Sequence, residues 1–252
     1  MEFVADIARK TGDAELLAVE AAKASRALEI GKDCGLFSVP KVVKLDPEAG
    51  VLEFERLNGL VTLLDLAIRK DRRLDDLLEK SGKALASIHA ELTLCEEMKH
   101  ELPAEWMNCR DDNVFVHGDF ACINVCFHEA SDELVILDFS AAPMVGRTPT
   151  FGSRYFDILL FVSSLFHGAP YRNVLSWNAG KMADTFLRGY AKAAPQVALS
   201  KLKDHASKIC RLQRQNILQL ARQRWPPRAA GYVLCQVLMH ARLRLFLCKC
   251  EP

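Results

Sequence analysis

Three short β-type segments lie in the middle of a chain whose other segments follow a mostly helical pattern. They read NVFVHGD, NVCFHE and ELVILDFS, and polar side chains stand at their ends. Asp119 and Asn124 flank the loop between the first two segments, and Asp138 follows the third. Short runs of this composition favour strands. We therefore predict a small β element embedded in a helical region, and this constrains the fold more than any other feature.

Asp119, Asn124 and Asp138 have side chains suited to metal and proton chemistry. Magnesium prefers hard oxygen ligands, which an Asn carbonyl and an Asp carboxylate supply while leaving room for phosphate oxygens and water. A second Asp that is not a ligand can orient an incoming hydroxyl or accept its proton. This order of residues is the one used for phosphoryl transfer by protein-kinase-like enzymes. The alternative is that all three are ordinary turn and cap residues.

A strong helix is predicted in the stretch GDAELLAVEAAKASRALEIGKDCG. Asp13 can cap its start, and Gly31 and Gly35 are expected at its end. Glu20 falls on or beside the face that the apolar residues place toward a core, so its carboxylate needs a partner or a route to solvent. That apolar face contains Leu17, Ala21, Ala24 and Leu28.

The next segments divide the chain into two parts. Two β-rich runs, 41–45 and 51–57, flank the turn sequence DPEAG and predict a hairpin, followed by a hinge near Asn58. Beyond it the pattern is mostly helical apart from the central β element. We expect a small N-terminal α/β part, residues 1–57, and a larger and mostly helical part, residues 58–252.

Composition narrows the possible partners and surroundings. The chain has 252 residues and a formal net charge of +1, which gives no overall attraction to nucleic acid or membranes. The most apolar stretch contains His240, Arg242 and Arg244, so it is not expected to span a membrane. The nine cysteines are odd in number and irregularly spaced, and no secretory signal opens the sequence, so we expect reduced thiols in a cytoplasmic protein. The basic stretch 211–228 indicates either a solvated helix face, which we favour, or an anionic partner.

The sequence HGDFACIN…VILDFS resembles the catalytic core of the aminoglycoside phosphotransferase and choline kinase-like family, a branch of the protein-kinase-like fold. The resemblance implies an α+β, two-lobed, protein-kinase-like fold with a reduced N-terminal α/β lobe and a larger, mostly helical C-terminal lobe. It also implies ATP and Mg²⁺ as cofactors and a small-molecule hydroxyl acceptor. Asp119 would be the catalytic base, Asn124 and Asp138 the magnesium ligands, and His117 a brace for the loop.

Other stretches match the same family in the same order. VLEFERLNG resembles the last strand and hinge of the small lobe, where backbone groups meet adenine, and this implies adenine contacts at Glu55 and Leu57. RYFDILLF resembles the segment whose Asp, here Asp157, steadies the catalytic loop from behind. ALASIHAEL resembles the helix before that loop, with His89 packed at its end. Glu20 matches the helix Glu that pairs with a phosphate-binding Lys.

The start of the chain departs from the family pattern. FVADIARKTG looks like the strand that should carry the Lys, but Asp6 or its neighbours stand at the expected place, and Lys10 lies close to the helix start. No Gly-rich loop precedes it. Two explanations are open: a missing N-terminal segment or a truly reduced nucleotide lobe. The alternative function that follows is a catalytically impaired, pseudokinase-like binding protein without the Gly-rich loop and the Lys.

Overall fold

The computed structural model describes residues 2–4, 6–107, 112–140, 149–224 and 226–249. Nine strands and seven α-helices lie in these ranges. The strands are β1 (Glu2–Val4), β2 (Ile7–Thr11), β3 (Val42–Asp46), β4 (Val51–Glu55), β5 (Leu60–Thr62), β6 (Asn113–Phe115), β7 (Val125–His128), β8 (Glu133–Ile136) and β9 (Phe151–Ser153). The helices are α1 (Ala14–Cys34), α2 (Leu63–Arg69), α3 (Leu74–Glu91), α4 (Tyr155–His167), α5 (Ala179–Ala193), α6 (Ala206–Arg222) and α7 (Pro226–Cys248).

An antiparallel sheet and one long helix form the N-terminal part. The strand order is β1-β2-β4-β3, and α1 packs against β3 and β4. Asp13 caps α1 as predicted, because its side chain accepts hydrogen bonds from two backbone N–H groups in the first turn. Gly35 ends the helix in the left-handed conformation, with φ +66°. Gly31 was predicted at the helix end but lies inside α1, where the carbonyl of Phe37 leaves no space for a side chain.

The connection from β4 to β5 crosses from one sheet to another. β4 ends at Glu55 in the four-stranded sheet, and β5 begins at Leu60 in a three-stranded sheet of order β5-β7-β8. Ser38, which precedes β3, also reaches this second sheet: its N–H donates to the Leu134 carbonyl and its carbonyl accepts from Ile136. The two parts of the chain are therefore joined by backbone hydrogen bonds as well as by the covalent connection.

Helices build the remainder of the core. α4 is almost entirely buried, with eleven of its thirteen residues shielded from solvent, because other elements pack on all of its faces. α3 and α5 approach closely at two glycines, Gly82 and Gly189, whose missing side chains let the backbones touch. The predicted central β element is present: β6 pairs with β9, β7 pairs with β8, and the loop 116–124 lies between β6 and β7.

Two features bear on the expected surroundings. In the described ranges, no helix is both long enough and apolar enough to cross a membrane. The described cysteines are all free thiols, and four of them, Cys122, Cys126, Cys210 and Cys235, are buried.

Candidate active site

A buried carboxylate at the start of α4 holds the loop that follows β6. Asp157 accepts hydrogen bonds from the backbone N–H of His117 at 2.7 Å and of Gly118 at 2.9 Å. Burial opposes its charge, but the hydrogen bond from His89 and these backbone donors outweigh burial and lower the pKa of Asp157. Gly118 has φ +93°, which favours glycine. Asp157 thus steadies the loop from behind, which confirms the prediction.

His89 links this carboxylate to α5. Its Nε2 lies 3.0 Å from Asp157 Oδ2, and its Nδ1 lies 2.9 Å from the Tyr190 hydroxyl. Burial lowers the pKa of His89, so the ring is neutral near pH 7. In that state one ring nitrogen donates to Asp157 and the other accepts from Tyr190. His89 is therefore a packed residue near the end of α3, as predicted, and it braces the loop through Asp157.

Asp119 and Asn124 contact one another across the loop. The Asn124 Nδ2 donates to the Asp119 carbonyl at 2.9 Å and to its carboxylate at 3.0 Å. Burial, together with the nearby Asp138, raises the pKa of Asp119 to about 6. The Asp119 N–H donates to His117 Nδ1 at 3.2 Å, so this nitrogen carries no proton. Burial lowers the pKa of His117 to about 3, which keeps the ring neutral.

Lys10 joins the N-terminal sheet to α1 and to Asp138. Its Nζ lies 2.5 Å from Glu20 Oε1 and 2.7 Å from Asp138 Oδ1. The Lys partner of Glu20, which was not evident from the sequence, is therefore Lys10. The physical reason is that β2 continues to Thr11, so Lys10 lies within the strand and shares with Ala8 the face toward α1. The alternation of Ala8 and Lys10 was the signal that could have identified this lysine.

The three charges of this cluster influence one another. Burial opposes the charge of Lys10, but Glu20 and Asp138 outweigh burial and raise the pKa of Lys10. Burial opposes ionisation of Asp138 as well, and Lys10 together with the Ser140 hydroxyl lowers its pKa. Burial raises the pKa of Glu20, although Lys10 acts in the opposite direction. The arrangement places one cation between two carboxylates, so a bound polyanion would meet Lys10 with Asp138 beside it.

A second lysine, which sequence reasoning missed, lies behind the loop. Lys23 is completely buried, and its Nζ donates to the His117 carbonyl. Burial lowers the pKa of Lys23 to about 8, although the surrounding carboxylates, Asp157 first, favour its charge. Lys23 follows Glu20 by three positions, so both lie on one face of α1. That spacing was the available signal, since a Lys beside a buried Glu on an apolar face requires partners of its own.

One cavity of about 510 Å³ brings most of the predicted residues together. Glu55 and Leu57, from the connection between the two sheets, line one part of it. The charged residues Lys10, Glu20 and Asp138 line it together with Asn124. Asp119 is not among the lining residues, but it contacts Asn124 and so lies next to the polar part of the cavity. The other residues that line the cavity are Phe3, Ala8, Ala24, Val39, Pro40, Phe54, Arg56, Asn58, Gly59, Leu60, Leu137 and Phe139.

The polar part of this cavity fits a magnesium ion held jointly with a ligand. Among the described residues no group of three His, Cys, Asp or Glu side chains could hold a metal alone. Asn124 uses its amide nitrogen to bind Asp119, which leaves its carbonyl oxygen for another ligand. Asp138 adds a carboxylate, and the backbone of this residue has a positive φ of +57°. Two hard oxygen donors of this kind suit Mg²⁺ when phosphate and water oxygens complete the coordination.

The apolar part of the cavity suits a flat ring. Its walls include Ala8, Val39 and Phe54, and the connection that contains Leu57 forms its edge. The Leu57 N–H makes no hydrogen bond with any residue in the described ranges, so it is available to a ligand. Glu55 uses its side chain locally, since its carboxylate accepts from the Lys41 N–H at 2.8 Å. Any contact to an adenine at these two positions would therefore be made through the backbone.

The expected difference from the family pattern at the start of the chain concerns the Gly-rich loop. β1 and β2 are adjacent antiparallel strands, with Val4 opposite Ile7, and the first glycine of the sequence is Gly12. A Gly-rich loop therefore does not precede the strand that carries Lys10 in this sequence. Lys10 is present, and the eleven residues before Gly12 in this sequence contain no glycine.

Comparison with known proteins identifies the fold. No protein-family model and no curated protein sequence matches the chain. A choline/ethanolamine kinase family protein from Mesorhizobium loti is 16% identical over 96% of this chain and 88% of that chain, with a TM-score of 0.54. Amicoumacin kinase in complex with AMP-PNP, Ca²⁺ and Ami is 14% identical over 94% and 80%, with a TM-score of 0.57. Glucosamine kinase in complex with glucosamine, ADP and inorganic phosphate is 14% identical over 90% and 72%, with a TM-score of 0.59.

These similarities confirm the predicted fold class. The chain has an α+β, protein-kinase-like, two-lobed fold with a reduced N-terminal α/β lobe and a larger, mostly helical C-terminal lobe. At this level of identity the likeness concerns the fold, so the roles of individual residues rest on the geometry above.

Proposed function

We propose that the protein is an ATP-dependent phosphotransferase that moves the γ-phosphoryl group of ATP to a hydroxyl of a small molecule. The observation that carries the proposal is the position of Lys10, which bridges Glu20 and Asp138 at the polar part of the cavity. A Lys–Glu pair next to a metal-binding Asp is the phosphate-holding arrangement of kinase-like enzymes. The solved structures with this fold include complexes with AMP-PNP and with ADP, which supports nucleotide as the ligand.

The proposed nucleotide site lies in the cavity lined by Lys10, Glu20 and Asp138. Adenine would lie against the apolar walls and meet the backbone of Glu55 and Leu57. Lys10 would bind the α and β phosphates while Glu20 holds its ammonium in place. Asn124 and Asp138 would hold Mg²⁺, which would neutralise charge on the phosphates. We take residues 1–57 and 58–252 as the two lobes that enclose this site.

Asp119 is proposed as the residue that acts on the acceptor. The acceptor oxygen forms a bond to the γ-phosphorus while the bond from that phosphorus to the β–γ bridging oxygen breaks. The hydroxyl proton passes to the Asp119 carboxylate, which lies beside Asn124 and outside the nucleotide lining. Asp157 and His89 hold the loop, so they position Asp119 and do not react.

The acceptor is proposed only as a small hydroxyl compound. Glucosamine kinase was solved with glucosamine, and choline/ethanolamine kinase-family and amicoumacin kinase proteins share the fold. These proteins act on compounds of amino sugar, amino alcohol and antibiotic type, so such compounds are the first to test. A cytoplasmic setting, where ATP is available, remains part of the proposal.

A second function, a nucleotide-binding protein that does not transfer phosphate, is favoured by one observation. Residues 1–11 contain no glycine, whereas kinase-like enzymes cover the phosphates with a Gly-rich loop. The other support for this alternative, a missing Lys, is gone because Lys10 pairs with Glu20. The balance therefore favours the enzyme.

Two measurements on wild type and Asp119→Asn test the proposal. Thermal unfolding with millimolar Mg-ATP should show stabilisation of both proteins, because a ligand that binds the native state raises its stability. Transfer of labelled γ-phosphate to a panel of amino sugars, choline and aminoglycosides should occur in wild type and fall about 10³-fold or more in the variant. Stabilisation without transfer to any acceptor would favour the binding protein. No stabilisation of wild type would refute both functions.

A further inference from the structure

Positive charge is concentrated at the C-terminal end of the chain. Residues 205–250 contain nine Lys and Arg residues and no Asp or Glu, which leaves 24 basic and 32 acidic residues elsewhere. The net charge of +1 is therefore the sum of a basic C-terminal region and an acidic remainder of the chain. The basic residues are Lys208, Arg211, Arg214, Arg222, Arg224, Arg228, Arg242, Arg244 and Lys249.

Few of these charges are neutralised within the molecule. In the described ranges Arg211 alone forms an ion pair, with Glu105 at 3.4 Å. Arg242 donates to backbone carbonyls, and Arg224 lies over the ring of Tyr232. A solvated surface helix normally mixes both signs of charge, because like charges on neighbouring turns repel. α6 and α7 carry basic charges only, and in the described ranges Glu105 is the one carboxylate that pairs with them.

A groove of about 470 Å³ lies between α6 and α7 where this charge converges. One wall is a helical stripe that continues from the 3₁₀ segment Leu199–His205 into α6, and the other is a stripe of α7 at four-residue spacing. The first stripe supplies Lys203, Ala206, Ser207, Cys210, Arg211 and Arg214. The second supplies His240, Arg244 and Cys248. No carboxylate lines the groove among the residues that the structure describes.

His240 lies on the α7 wall of the groove, one helical turn before Arg244. Burial lowers the pKa of His240, and the positive charges of Arg244 and Arg214 lower it further. This agrees with the closeness of both guanidinium groups to the His240 ring. Arg214 and Arg244 have no carboxylate partner in the described part of the chain. A ligand with anionic oxygen atoms would supply the partner that both guanidinium groups lack.

We infer that the groove between α6 and α7 binds a small organic anion that carries at least two anionic groups, such as a phosphate ester or a polycarboxylate. Two guanidinium groups on facing helices can each form paired hydrogen bonds to phosphate or carboxylate oxygens. The volume is that of a small-molecule site and exceeds the needs of a single inorganic ion. The groove shares no lining residue with the nucleotide cavity, so the site does not depend on the proposed kinase function.

Calorimetric titration with pyrophosphate, on protein freed of divalent metals with a chelating resin and in a buffer without polyvalent anions, tests the inference. The informative variant is Arg214→Gln/Arg244→Gln, which removes the charges that face one another across the groove. The matched control is Arg222→Gln/Arg228→Gln, which removes the same charge from the same two helices outside the groove. We expect saturable binding of one pyrophosphate to wild type, weakened about tenfold or more in the groove variant and less than twofold in the control.

Other outcomes would overturn the inference. Equal weakening in both double variants would show diffuse attraction to a basic surface. Binding lost in Lys10→Met but retained in Arg214→Gln/Arg244→Gln would place the anion in the nucleotide cavity. No saturable binding of pyrophosphate, or binding only to anionic vesicles or nucleic acid, would also contradict a small-anion site. Because the four arginines are exposed, circular dichroism should show that both double variants fold.

Discussion

Lys10 and Glu20 form an ion pair in which Nζ lies 2.5 Å from Oε1, and this pair ties β2 to α1. Lys23, on the same face of α1, donates to the carbonyl of His117 in the loop 116–124. A single helix therefore contacts both the proposed phosphate-binding lysine and the loop that holds Asp119. A displacement of α1 would therefore disturb both contacts together.

Replacement of Lys10 by Met should weaken nucleotide binding. It removes the cation that we expect to meet the phosphates, and we expect the affinity for Mg-ATP to fall about tenfold or more. Calorimetric titration with Mg-ATP measures the change. The control is Arg9→Met, since Arg9 is the adjacent strand residue and pairs with Glu53 instead of lining the cavity. Equal affinity in the two variants would contradict the assignment of Lys10.

Replacement of Asp157 by Asn should destabilise the protein. Asn has one acceptor oxygen and an amide group that would face the N–H donors of His117 and Gly118, so buried donors lose their partner. We expect the free energy of unfolding to fall by about 3 kcal/mol, measured by urea denaturation. Asp132→Asn is the control, because Asp132 is exposed and its φ of +57° suits Asn. A loss at Asp157 no larger than at Asp132 would contradict its bracing role.

Replacement of Gly189 by Ala should disturb the contact between α5 and α3. A methyl group there would collide with the backbone carbonyl of Glu79, which cannot move without shifting α3. We expect a destabilisation of about 2 kcal/mol in urea denaturation despite the better helix propensity of Ala. Gly180→Ala in the same helix is the control: its nearest neighbour, the Phe246 ring, would be 3.8 Å away. That variant should be neutral or slightly more stable, and identical losses would refute the close-packing explanation.

Replacement of Lys23 by Met should change how stability depends on pH. Burial lowers the pKa of Lys23 from 10.5 to about 8, so between these values the unfolded chain binds more protons than the folded protein. The contribution of this residue to stability therefore rises with pH in that interval, by up to about 1.4 kcal/mol per pH unit, and is lost as pH falls through 8.

The measurement is urea denaturation of wild type and Lys23→Met at several pH values from 7 to 10. Taking the difference between the two proteins cancels the titration of groups they share. We expect the stability of wild type relative to the variant to rise by about 2 kcal/mol over this range. Parallel pH profiles for the two proteins would show that Lys23 has an ordinary pKa and is not desolvated in solution.

Local pattern was sufficient for much of this molecule. Composition, turn residues and spacing act over a few positions along the chain. They were enough to predict the β element around Asp119, Asn124 and Asp138, the Asp13 cap, and the hairpin before the hinge. The family resemblance placed Asp157 behind the loop, and the structure confirms the contact. Gly31 was misassigned because a glycine that ends a helix and one that admits a neighbouring backbone look the same in sequence.

The tertiary structure decided the contacts between distant segments. Lys10 and Asp138 are 128 positions apart, and only the packing of the N-terminal sheet against the second sheet brings them together. Likewise, the sequence showed only a basic stretch, whereas the structure shows a groove because α6 and α7 place their charged stripes toward one another. Spacing along a chain determines which face a residue occupies, whereas its partner depends on which other element packs there, and that is settled by the burial of the whole core.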